Sequence, residues 1–499
     1  MRNSRRAGLL AAVFMSGFVT TAMPASAESL ADAIALAFKT NPALLIQRGN
    51  LRNGDEAYYR SRATNLGPGL TADLGLSAGS TTDFLHGDRP GDNTNSNIAV
   101  TASATATQTI LSGGSKAAAV DSQTDALLSL REGLRSSEQT LLQQVVNAYT
   151  GVRNAERQVT ISQQQLQSVG ESLDQAKAKF QAGAATITDQ ALAESRVAQS
   201  QTSLTTAQNN LNNARITYLT VIGQMPGTLQ QEPTIAASLP ATKEAAYEIA
   251  QRNSPTLRQA YLTERQSALA VVTARAAKRP TVSLSTGPSL GDTVRFPGAP
   301  NSVFGLSTAT GTWTSSVRLS MPIYPGRTTE STIRSAEETN RQDGIRIEQA
   351  RRTLNQQVNT AWNALIAARA QKASQTEAVR AQTLATEGTI EQYKQGLSTA
   401  LDQLNSQLDL RTTQQALVNA EFSEYTAGVS LLVAMGQISP ETFGATVEAY
   451  DPLEHFNQIN GNADLPWMSF VENLDRSMGA PVRAYTPAPG EIVPDFKAP

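Results

Sequence analysis

The sequence predicts an α+β membrane chain in which four two-faced β-strands run on into four long helical arms, arranged as a tandem duplication. Three observations carry this: a repeat at one fixed offset, two pairs of segments with period-two alternation, and two long proline-free heptad stretches. The segment FQAGAATITDQ begins at Phe180 and YKQGLSTALDQ at Tyr393, 213 positions later. The same offset pairs Asn41-Pro42 with Ser254-Pro255, Ile110-Leu111-Ser112-Gly113 with Ile323-Tyr324-Pro325-Gly326, and Gly223-Gln224 with Gly436-Gln437. One register held over that length implies two copies of one unit. The division is residues 28–225 and 243–438, joined by a linker at 226–242 and followed by an unrepeated tail, 439–499.

Each unit reads as helix, strand, loop, strand, long helix, turn, long helix. In the first, Leu30 to Arg62 has helical character until Gly67-Pro68-Gly69 breaks it. Leu70, Ala72, Leu74, Leu76 and Ala78 then alternate with Thr71, Asp73, Gly75 and Ser77, and Ile98 to Thr107 alternates likewise. The second unit offers Thr281–Thr286 and Gly311–Met321, where Trp313, Val317 and Leu319 oppose Thr312, Thr314, Ser316 and Arg318. Such strands fit half-buried hairpins in a soluble protein or the wall of a membrane barrel whose polar face lines a lumen.

The helical arms decide between them. No proline lies between Ser115 and Met225 or between Gly326 and Ser439. Val145, Val152, Val159, Leu166, Leu173 and Phe180 recur every seven residues, with Ala148, Ala155, Ser162, Val169 and Ala176 between them, a seam for close left-handed packing. Val197, Leu204, Leu211 and Tyr218 continue it on the return arm, whereas Lys372 and Gln375 interrupt it in the second unit. Ser115 to Phe180 spans about 100 Å at the helical rise. A duct or filament needs such a rod and a compact domain does not.

Composition agrees. Aromatics are 5% and net charge is −2, so thick cores and nucleic-acid binding are both excluded. Arg2, Arg5 and Arg6, the apolar Leu9–Val19 and Ala25-Ser26-Ala27 form a Sec signal over residues 1–27, with Glu28 as the expected first mature residue. No cysteine is present, which removes disulfides, thiolate metal sites and a lipid-anchor residue. No later segment is apolar for long enough to cross a membrane as a helix. A membrane sheet must close, and four strands cannot form a barrel, so at least two copies are required.

In its duplicated helix-turn-helix tips (Gly183 and Thr188-Asp189; Tyr393, Gly396 and Asp402), the chain resembles the TolC outer-membrane factor family, over residues 28 to 438. The resemblance implies a homotrimer with a 12-stranded barrel in outer-membrane lipid, continuous with a helical tunnel through the periplasm. It further implies docking to an inner-membrane transporter of ABC or RND type and to a periplasmic adaptor, for export of small toxic compounds or type I secreted proteins. It implies that Tyr393 hydrogen-bonds toward Asp189 and that Asp402 forms an acidic constriction. Ser398 and Asn405 stand where the family's best-studied members carry an arginine and a second aspartate, so one inter-subunit salt bridge and the lower acidic ring are altered. Gly183 and Gly396 also fit helix C-caps, and Asp189 and Asp402 fit N-capping of the return helix; both roles stay open. The expectation is no catalytic residue, no cofactor and no metal: His86 falls in a polar loop, and His455 in the tail near Tyr450. The tail, with five prolines in its last 19 residues, is expected to form a periplasmic collar followed by disorder. The rival reading is a periplasmic coiled-coil adaptor or scaffold, which the arms alone would allow but which needs no duplicated two-faced strands.

Overall fold

A computed structural model describes residues 28–82, 94–296, 310–447, 450–460 and 465–482. The expected signal segment, His86 and the end of the tail lie outside these residues. The order is α1 (Leu30–Thr40), α2 (Pro42–Leu66), β1 (Gly69–Thr82), β2 (Thr94–Leu111), α3 (Ser115–Gln181) and α4 (Ile187–Ile222). It then recurs as α5 (Lys243–Asn253), α6 (Pro255–Ala276), β3 (Thr281–Phe296), β4 (Thr310–Ser320), α7 (Gly326–Lys394) and α8 (Ala400–Ala434). Two short helices, α9 (Glu454–Asn460) and α10 (Met468–Ser477), follow.

The helix expected from Leu30 to Arg62 is broken at Asn41. Pro42 has no N–H to continue α1 but suits the first turn of α2, where Asn41 Oδ1 accepts from the amides of Ala43 and Leu44. Ser254-Pro255 repeats the device, with Ser254 Oγ accepting from Leu257 N–H.

The strands form one antiparallel sheet in the order β1-β2-β3-β4. Its register places Leu70 opposite Ala106, Leu74 opposite Ala102 and Leu76 opposite Val100, while Thr71 meets Thr105 and Asp73 meets Ser103. Across the second hairpin, Leu284 meets Val317 and Val282 meets Leu319. One face is therefore apolar and the other rich in Thr, Ser and Gly. Leu74 is 82% exposed and Trp313 71%, so the apolar face covers no core within the chain. β1 and β4 each keep one unpaired edge.

Below the sheet, α3 pairs with α4 and α7 with α8, and α3 also lies against α8 to join the two hairpins. Nearer the sheet, α2, α3, α6 and α7 form the wall. The thickest core sits part-way down, where α1 packs on α3 and α4, α5 packs on α7, and the linker joins them. Tyr149 and Tyr218 are fully buried there. The Tyr149 hydroxyl lies 2.9 Å from the Glu28 carbonyl and 2.8 Å from that of Gln230, and the Tyr218 hydroxyl donates to Glu28 Oε1 at 2.6 Å. Desolvation pushes the Tyr149 hydroxyl up to about 12.

Towards the tip the seam departs from the heptad reading. Ser162, Val169 and Ala176 are buried as expected, but Leu166 and Leu173 are only half-buried and Phe180 is exposed. Gln165 and Ser172 are buried instead, because α8 packs on that side of α3. Ser172 Oγ accepts from Gln403 Nε2 and Gln407 Nε2, both at 3.1 Å. The interruption at Lys372 has a partner too: its Nζ donates to Glu424 at 2.8 Å.

The tail packs back on the wall. Phe456 packs against both Tyr58 and Tyr59, and His455 Nδ1 lies 3.1 Å from the buried Asp55 carboxylate. Farther on, Asp475 of α10 is 1% exposed and reaches the turn between β2 and α3. Its carboxylate accepts from the backbone amides of Ser112, Gly114 and Ala117 and from the Ser112 hydroxyl. At the matching turn of the second unit, the N-cap Pro325 makes no side-chain cap bond.

Candidate functional site at the helical tips

Each long hairpin reverses in five residues. At the end of α3, Ala184 N–H donates to Lys179 O at 2.8 Å and Gly183 N–H to Phe180 O at 3.0 Å, the paired bonds of a Schellman closure. Gly183 takes the left-handed backbone this requires, with φ 73°. Leu397 and Gly396 (φ 78°) make the same pair with Gln392 and Tyr393. The C-cap reading of both glycines therefore describes their geometry.

The return helices start with capping boxes. Thr186 Oγ1 accepts from Asp189 N–H while Asp189 Oδ2 accepts from Thr186 N–H at 2.9 Å. Thr399 and Asp402 repeat this, with 3.1 Å from Thr399 N–H to Asp402 Oδ2. The threonines are thus the N-caps, and the aspartates sit three residues in. Bonds from the threonine hydroxyl and amide hold both carboxyls below the usual range, with Ser398 adding to the effect at Asp402. Asp402 is exposed, Ser398 half-exposed beside it, and Thr188 exposed on the first turn of α4.

The expected hydrogen bond from Tyr393 to Asp189 is not formed. The Asp189 carboxylate turns instead to its own N-cap, Oδ2 accepting from the Thr186 amide and hydroxyl. Tyr393 is 6% exposed, and its hydroxyl is shifted upward by burial and by the nearby Asp189 charge. Its firm partner is Lys179. The Lys179 ammonium stands 3.6 Å from the centre of the tyrosine ring, and Nζ donates to Tyr393 O at 2.8 Å. Asn405 also has a partner, since its Oδ1 accepts from Arg196 Nη2 on α4 at 3.0 Å. Lys179–Tyr393, Ser172–Gln403/Gln407 and Arg196–Asn405 together tie the first hairpin to the second.

Lys179 and Arg196 were not singled out by sequence reasoning. A lysine in the last turn of a helix reads as a dipole partner, and neither residue has a like residue at the 213-residue offset. Among the described residues, no cluster of three or more His, Asp or Glu could hold a metal ion. No described helix is long and apolar enough to cross a membrane.

Comparison with known proteins decides the family. The profile described as "Outer membrane efflux protein" matches twice, over residues 33–224 and 246–437. The chain belongs to the outer membrane efflux protein family. It is 30% identical to the outer membrane efflux protein BepC of Brucella suis biovar 1 over 452 residues, covering 90% of this chain and 94% of that protein. It is 25% identical to the outer membrane protein TolC of Escherichia coli K12, over 87% of this chain and 86% of that one. A membrane protein from Pseudomonas aeruginosa shares the fold at a TM-score of 0.72 and 19% identity, over 85% of this chain and 92% of its own. The family is one of outer-membrane channels and not of enzymes, which accounts for a tip built from caps and ties with no reaction centre.

Proposed function

We propose that three copies of this chain form an outer-membrane duct, a 12-stranded barrel above a tunnel of twelve helical arms, through which export substrates leave the cell. The observation that carries this is the sheet: it exposes an apolar face and leaves β1 and β4 with open edges, which lipid does not tolerate unless other copies complete the ring. The repeated element order and the twofold match to one profile support a tandem duplication of units 28–225 and 243–438. Export by the Sec route, docking to an ABC or RND transporter and its adaptor, and passage of small toxic compounds or type I secreted proteins follow from the family reading. The rival adaptor reading gives no use for the lipid-ready sheet.

The tapered tip would be the entrance. Asp402, exposed and ionised across the physiological range, would recur three times around the axis as a cation-selective ring. Asn405, uncharged and held by Arg196, would leave the ring below it neutral, and Ser398 would replace an inter-subunit salt bridge by a shorter polar contact. Tyr393, Asp189 and Thr188 would line the joint between hairpins. Planar-bilayer recording of the purified, crosslinked oligomer tests this, with Asp402→Asn beside wild type. A small, mainly closed conductance is expected, with cation preference reduced in the variant. Failure to insert would remove the channel reading, and unchanged selectivity would remove the role of Asp402.

A further inference from the structure

Helix α10 carries two apolar stripes, and the described residues cover only one. Met468 and Val471 are buried against the wall, next to Asp475. Trp467, Phe470 and Met478 remain 47%, 66% and 44% exposed. With the half-buried Leu474 between them, they follow the three- and four-residue spacing of a single helix face.

The position of α10 says what meets that stripe. At its start, Met468 packs on Leu66, the last residue of α2 and three positions ahead of the first β1 residue, Gly69. At its end, Asp475 binds Ser112 and Gly114, which directly follow β2, and Arg279 donates to the Met478 carbonyl two positions ahead of β3. The helix therefore lies across the helical-side rim of the sheet, close to the starts of β1 and β3 and the end of β2. Arg476–Asp121 at 2.7 Å and Arg62–Glu472 at 3.4 Å brace it to α3 and α2. The strands whose apolar face is exposed start and end at this rim, beside α10.

We propose that α10 is an interfacial membrane anchor, with Trp467, Phe470 and Met478 set into the headgroup region of the periplasmic leaflet. This rests on the barrel reading given above. Tryptophan and phenylalanine on an amphipathic helix favour that depth, where the ring is partly desolvated and the indole N–H stays wet. A second copy of the chain is the weaker occupant, because neighbouring copies would meet at the open edges of β1 and β4, whereas α10 is held at the end of β2 between them.

The three tryptophans, Trp313, Trp362 and Trp467, provide the test. One variant, Trp313→Phe with Trp362→Phe, leaves Trp467 as the reporter. The other, Trp362→Phe with Trp467→Phe, leaves Trp313 on the apolar face of β4. Both are reconstituted as the full chain in phosphatidylcholine vesicles with plain or acyl-brominated lipid, after circular dichroism shows unchanged helix content. Loss of emission from both reporters in brominated vesicles is expected, Trp467 responding more to bromine placed near the headgroup. Quenching of Trp313 without Trp467 overturns the anchor and leaves the barrel standing. Quenching of neither overturns the barrel reading and the anchor with it.

Discussion

Replacing Asp475 by alanine removes four hydrogen bonds from the turn that joins the sheet to the first long helix. Three of the donors are backbone amides, those of Ser112, Gly114 and Ala117, and the fourth is the Ser112 hydroxyl. These amides sit at the start of α3, whose N-cap Gly114 has no side chain to replace the lost acceptor. Asp475 is 1% exposed, so water cannot readily take its place. Stripping one partner from a buried, charge-assisted network costs about 3–5 kcal/mol. Asp475→Asn keeps one acceptor but leaves the donors on the other side unsatisfied, for a cost of about 1–3 kcal/mol. Hydrogen exchange reads the effect locally, since amides over residues 112–118 should exchange about a hundredfold faster or more in Asp475→Ala. The first turn of α7 is the internal control, because its N-cap Pro325 makes no side-chain cap bond and the bonds of Asp475 all go to the α3 turn. Equal acceleration at both helices, or none at α3, would refute the capping argument.

Three further outcomes follow from the same geometry. Burial pushes the Asp125 carboxyl up to about 6, above its usual 3.8, despite Arg265 at 3.0 Å. Its ionisation therefore costs the fold nothing below about pH 4 and most above pH 6. Asp125→Asn should raise the melting temperature at pH 7.5, by a free energy of up to about 3 kcal/mol, with the gain gone at pH 4. A Cβ at Gly287 would lie 1.8 Å from the Ala104 carbonyl oxygen on β2, so Gly287→Ala should abolish heat-resistant barrel migration in gels, while Gly344→Ala, in open space, should not. Lys179→Met removes both the cation over the Tyr393 ring and the bond to its carbonyl. Spin labels at residues 184 and 397 should then report a broader distance between the two tips, and an unchanged distribution would deny Lys179 any hold on the joint.

What the sequence discloses here is what repeats or stays local. The strands announce themselves where Leu70 to Ala78 alternate, and a Thr-x-x-Asp box at Thr186 and Thr399 is readable because donor and acceptor lie three residues apart. β3 runs on to Phe296 beyond the expected Thr286, because Gly287, Pro288, Gly291 and Asp292 are poor strand formers that pairing with β2 and β4 nevertheless holds extended. The heptad reading picked Leu166 and Leu173 for the seam on hydropathy. It does not find Ser172, because burial there is made by amides of α8 more than two hundred positions away, and a buried serine is invisible until its partners are known. Lys179 fails for the same reason, since its target is an aromatic face in the other unit. Asp475 is the extreme case. Nothing within the tail marks it, its donors lie 358 to 363 positions back, and the duplication offers no second copy to compare. The unrepeated tail therefore breaks the twofold likeness of the units at the elbow below β2, where a buried charge takes the role that neither glycine of that turn can fill.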